Sequence, residues 1–148
     1  QLRAMATPNT GMAVTMDIGN PADIHPANKQ EVGRRLSLWA LAKTYGKQAE
    51  CYGPTFSAMV VEGRATRLVF THGAGLNSKG EPVKGFQIAG ADKKFVPANA
   101  QIDGETVRVW SDAIPSPVAV RYGWGDDIEP NLFNGASLPA GPFRTDRW

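Results

Sequence analysis

The sequence predicts a mostly β fold, a C-terminal antiparallel β-sandwich preceded by the last β-strand and helix of an α/β domain. Three observations predict it. Glycine and proline number 7 in residues 1–50 but 20 in residues 51–148, so turns crowd into the second part. Net charge is +2 in the first part and zero in the second. Near Gly46 the hydrophobic pattern also changes, from helical spacing to strand-like alternation. The expected organisation is therefore a strand–loop–helix piece over 1–48 and a β-sandwich over 49–148.

The first element is Met12-Ala13-Val14-Thr15-Met16-Asp17-Ile18, which has no strongly polar position before Asp17. Such a run suits a strand covered on both faces of a parallel sheet. Gly19-Asn20-Pro21 ends it. Ala27 to Tyr45 reads as a helix, because Val32, Leu36, Trp39 and Lys43 form one row and Leu38, Leu41, Ala42 and Tyr45 widen it. Pro26 suits a first helical turn, Asn28-x-x-Glu31 has capping-box spacing, and Gly46 is a suitable stop. A lone strand is not a sheet, so this piece calls for partner strands that the 148 residues do not supply.

Beyond Cys51 the segments are short and rich in β-branched and aromatic residues. Phe56–Val61, Thr66–His72, Gly85–Ala89, Lys94–Val96, Thr106–Trp110 and Val118–Trp124 are expected strands. Glu62-Gly63, Gly73-Ala74-Gly75, Lys79-Gly80, Asp103-Gly104 and Pro115-Ser116-Pro117 are the turns between them. Six or seven strands in this length is the density of a sandwich.

Composition narrows the chemistry. Sixteen basic against 14 acidic residues leave no field that argues for nucleic acid or a membrane surface. No apolar run approaches the length of a membrane span. One Cys and two His exclude an internal disulfide and any zinc site built only of Cys and His. No metal or cofactor is expected.

The most informative short stretch is Asp23-Ile24-His25-Pro26, between the end of the expected strand and the start of the expected helix. Open α/β sheets place their ligand sites there. A histidine beside a helix N-terminus feels the positive end of the dipole, which favours the neutral imidazole a general base needs. Asp23 or Asp17 could orient it in the manner of a catalytic triad; the plain alternative is that His25 caps or packs beside the helix. No serine stands in a G-x-S-x-G elbow. Cys51 reads as a structural thiol, His72 as a packing residue at a strand end, and Lys93-Lys94 as a solvated turn. Gly73-Ala74-Gly75 lacks the following helix of a phosphate loop. Trp110, Trp124 and Trp148 could form a sugar-stacking surface, although alternating strand aromatics more often fill a core.

Several blocks, in order along nearly the whole chain, resemble the sialate O-acetylesterases, carbohydrate esterases of the SGNH hydrolase type. Pro8-Asn9-Thr10-Gly11-Met12-Ala13-Val14-Thr15, Asp23-Ile24-His25-Pro26 and Asn28 to Leu36 are similar to that family's last catalytic block. Gly85 to Asp92, Ala119 to Trp124 and Leu138 to Asp146 are similar to its C-terminal β domain. The resemblance implies hydrolysis of O-acetyl esters on sialic acid or another acetylated glycan by a Ser-His-acid site, with His25 at the base position. It further implies a periplasmic, extracellular or lysosomal location. Many SGNH hydrolases carry Asp three residues before this His, whereas position 22 is Ala and Asp23 lies two before. The serine belongs in a Gly-Gln-Ser-Asn type block upstream, which these residues do not contain. The chain is thus expected to be the C-terminal portion of the enzyme, with the upstream part of the catalytic domain as its partner and no esterase activity alone. The competing expectation is a non-catalytic β-sandwich that binds glycan or docks a partner.

Overall fold

The computed structural model describes residues 2–126 and 128–148. Among the described residues eight strands form two antiparallel sheets. The first holds β1 (Thr55–Glu62), β2 (Ala65–Thr71), β5 (Asn99–Asp103) and β6 (Thr106–Trp110), in the order β1-β2-β6-β5. The second holds β3 (Phe86–Ala89), β4 (Phe95–Pro97), β7 (Ala119–Tyr122) and β8 (Phe143–Arg144), in the order β4-β3-β7-β8. Alternation decides which face each strand buries. Leu68 and Phe70 of β2, Val107 and Val109 of β6, Phe86 and Ile88 of β3, and Val120 and Tyr122 of β7 point into one shared core. The fold is a β-sandwich, as the composition and alternation predict.

Two strands were not expected, and both follow from pairing rather than local pattern. β5 runs hydrophilic, Asn99-Ala100-Gln101-Ile102-Asp103, but pairs residue for residue with β6 from Asn99 opposite Trp110 to Asp103 opposite Thr106. β8 is only two residues long, yet its Phe143 stacks on Phe56 at 4.7 Å and on Tyr122 at 5.6 Å, which ties the chain end into the core.

Residues 2–50 form an arm against this sandwich. Its helix, α1, spans Lys29–Trp39 and continues through a π turn over Ala40–Thr44, so it starts after the expected Ala27 and leaves Pro26 outside its first turn, because Asn28 is non-helical and caps it. The Asn28 carboxamide accepts from the Glu31 N–H at 3.2 Å, so the expected cap forms. Only half of the capping box is made, because the Glu31 carboxylate turns to Arg34 and Arg35 instead. Gly46, at φ +62°, ends the helix as its position predicts.

Residues 12–18, expected as a strand whose sheet partners lie outside these 148 residues, form no ladder among the described residues. The segment is instead an extended strap between α1 and the sandwich. On the helix side, the Trp39 Nε1–H donates to Met12 O at 3.0 Å, and Arg35 donates to Val14 O. On the sandwich side, Met16 lies against Gly123, where a Cβ would come within 2.6 Å of the Met16 methyl. Gly123 also needs its φ of +60°, so both space and backbone require glycine there.

The junction after the helix is pinned by Asn134. Its Nδ2 donates to Tyr52 O at 2.9 Å and His72 O at 3.1 Å, while its Oδ1 accepts from the Ala136 and Leu138 N–H groups. One buried amide thus ties residue 52, the end of β2 and the loop 132–140 together.

Candidate active site

The strap leads into a loop whose shape is set by short polar side chains. Ile18 donates to Thr15 O, closing a turn around Asp17. The Asn20 Oδ1 then accepts from the Ala22 N–H at 2.9 Å, and Asp23 Oδ1 accepts from the His25 N–H at 2.8 Å. These are side-chain-to-backbone turns of the kind Asn and Asp favour. They bring the His25 Nδ1 to 3.3 Å from Asp23 Oδ1. The imidazole is 80% exposed, the Asp23 carboxylate 54%. Among the described residues no serine hydroxyl is hydrogen-bonded to His25.

Asp17 has a different partner. The guanidinium of Arg35 binds both its oxygens, Nη1 to Oδ1 at 2.6 Å and Nη2 to Oδ2 at 2.7 Å, and both side chains are buried. The same group donates from Nε to Glu31 at 2.8 Å. This bidentate geometry is the strong form of an arginine–carboxylate pair. It anchors the start of the His25 loop to α1. Hydrogen bonding from Arg34, with Arg35 adding to it, holds the Glu31 carboxyl down at about 2. Arg35 was not singled out from sequence, although it lies three residues from Val32 and hence beside the apolar row, where an arginine needs an acceptor.

A cleft of about 560 Å³ opens between the strap and the sandwich, lined by Met16, Asp17, Asn20, Lys79, Glu129 and Phe133 among others. Ser78 lines it too, but its hydroxyl donates to Glu81 O.

The other candidates separate. His72 lies at a strand end, stacked on Tyr52 at 4.2 Å with Nδ1 3.3 Å from Glu50, away from the His25 loop. Cys51 is buried and burial pushes its thiol up, the opposite of what a nucleophile needs. Trp110 ends β6 on the first sheet, whereas Trp124 and Trp148 gather beside the second. Gly73-Ala74-Gly75 is a turn, and Lys93 occupies another at φ +63°. Among the described residues no group of three His, Cys, Asp or Glu side chains could hold a metal ion.

Fold and site define a β-sandwich carrying an N-terminal arm with a loop His–Asp pair. No protein-family profile matches the chain, and no curated protein does. Among solved structures, the chain is similar to a crystal structure described as a novel carbohydrate acetylesterase from Xanthomonas citri. The two share 49% identity over 99% of this chain, with a TM-score of 0.93. The chain spans 35% of that protein's length.

Proposed function

We propose that the chain is the part of a carbohydrate O-acetylesterase that supplies the catalytic base, His25, oriented by Asp23. The observation that carries this is the likeness to a carbohydrate acetylesterase along nearly all of the chain, including the loop that holds the His–Asp pair. The acid role falls to Asp23 rather than Asp17 because both Asp17 oxygens are bound by Arg35. The nucleophilic serine is contributed by residues outside these 148. Its Oγ attacks the acetyl carbonyl as the imidazole takes the hydroxyl proton; the sugar oxygen then leaves with that proton, and water repeats the sequence to release acetate. The open face of His25 is the side on which the serine would dock. We take the substrate to be an O-acetylated sialic acid or a related acetylated glycan, following the motif resemblance.

The test is acetate release from O-acetylated sialic acid and from a neutral acetylated oligosaccharide, in the complete enzyme and in 1–148 alone. The isolated chain is expected to be inactive. In the complete enzyme His25→Ala should lower turnover by roughly four orders of magnitude or more, and Asp23→Asn by less. A folded His25→Ala enzyme with near-normal rates would overturn the base assignment. A larger loss from Asp17→Asn than from Asp23→Asn, with stability unchanged, would reverse the acid assignment, and preference for the neutral substrate would remove the sialate reading.

A further inference from the structure

The outer face of the second sheet carries a cluster that the esterase chemistry does not use. Arg121 sits in the middle of this face, directly opposite Gln87 on one neighbour and Arg144 on the other. Its guanidinium lies 3.9 Å from the centre of the Phe95 ring and 5.4 Å from that of Trp124. Arg144 also lies 5.4 Å from Trp124, and Phe95 leads on to Trp148 at 6.5 Å. Lys93 stands 5.2 Å from the Trp148 ring. Aromatic and cationic groups therefore alternate across a continuous surface, each ring polarised by a neighbouring cation.

Asp146 organises this surface from beneath. Its fully buried carboxylate takes two bonds of 2.9 Å from Arg121 and approaches Arg144 at 2.6 Å. Two arginines share this one carboxylate, Arg144 also donates to the Asp146 and Trp148 backbone oxygens, and Lys93 adds a further positive charge. Both guanidiniums are held in place, which lowers the entropy cost of engaging a ligand. Trp124 and Trp148 nevertheless remain 41% and 45% exposed. Half-exposed indoles beside fixed guanidiniums present apolar platforms for ring C–H groups and charged groups for a carboxylate.

We propose that this face is a second saccharide site, separate from the His25 loop, which binds carboxylate-bearing sugars such as sialic or uronic acids. The choice of a saccharide over an acidic peptide rests on the acetylesterase reading and on the two half-exposed indoles. The face would hold an acidic glycan close to the esterase so that successive acetyl groups reach it.

The experiment is calorimetric titration of the 148-residue chain with 3′-sialyllactose, trigalacturonic acid, lactose and a tetraglutamate peptide at low and moderate salt. Binding of at least one acidic sugar, at least tenfold tighter than lactose or the peptide, is expected, a difference of about 1.4 kcal/mol. Trp124→Ala and Trp148→Ala should each weaken it tenfold or more while the circular dichroism spectrum and melting temperature stay unchanged. Equal binding of lactose, equal binding of the peptide, or indifference to both tryptophan variants would overturn the proposal. So would binding by 1–148 that vanishes in the complete enzyme, which would assign the face to packing inside the parent. In that enzyme Trp124→Ala should release acetate from a small aryl acetate normally, whereas His25→Ala should not. Failure of the second site and failure of the esterase reading thus give different results.

Discussion

Arg35 is bound on three sides, to the backbone of the strap, to Asp17 and to Glu31, and it is 4% exposed. Replacing it by Met would leave the Asp17 carboxylate buried without its partner, a loss of roughly 3–5 kcal/mol. We expect Arg35→Met to lower the stability of the arm accordingly, read as faster hydrogen exchange at the Ile18 amide, and Arg35→Lys to recover only part of it, because lysine has no planar fork. Unchanged exchange in the Met variant would show that the strap is held by other contacts. Asp146 makes the matching prediction for pH. The hydrogen bonds from Arg121 hold its carboxyl below the usual carboxylate range. A depressed carboxylate stabilises the fold above its unfolded pKa of about 4, and that stability is lost as pH falls through the folded value. Thermal stability should therefore drop on acidification below about pH 4, more steeply in the parent chain than in Asp146→Asn. Parallel pH curves for the two would exclude this pair as the cause. At this scale the His25 pairing was legible, because Asp23 is two residues away and a loop Asp turns toward its own backbone. The commitment of Asp17 was not, since its partner is 18 residues distant.

Between elements, fit is decided by a few close approaches. At Gly53, just after the arm, a Cβ would fall 2.0 Å from the Pro139 carbonyl oxygen, a backbone atom that cannot move aside cheaply. Gly53→Ala should cost on the order of 1–3 kcal/mol as an overpacking change and should loosen the junction that Asn134 pins. Hydrogen exchange at the Tyr52 and Leu138 amides would report it, and undiminished protection there would contradict the account. The helix shows what local sequence can specify: its cap at Asn28 and its stop at Gly46 are both where the residue types place them. The strap over 12–18 shows the limit. Its apolar run is compatible with a buried strand, but a strand is a property of pairing, and within these residues its carbonyls go to Trp39 and Arg35 instead. β5 is the converse case, a polar segment made into a strand by β6.

Across the whole molecule the two parts differ in how they bury apolar surface. The sandwich closes on itself around Leu68, Ile88, Val107, Val120 and Tyr122. The arm leaves Ile24 89%, Leu36 50% and Tyr45 68% exposed, consistent with the proposal that it completes a larger α/β domain. Limited proteolysis should therefore cut within residues 1–48 first and leave a resistant core beginning near residue 50. Survival of the arm with loss of the sandwich would refute that boundary. By itself the sequence determined the sandwich, the helix with its Asn28 cap and Gly46 stop, and a loop that carries Asp23 two residues before His25, because each depends on periodicity, turn chemistry or residues a few positions apart. Tertiary structure alone decided that Asp17 belongs to Arg35, that residues 12–18 form a strap, and that Trp124 and Trp148 share a face while Trp110 does not. Those outcomes depend on contacts between residues far apart in the chain, which no local pattern encodes, and on which sheet edge or helix side each residue meets once the chain has closed.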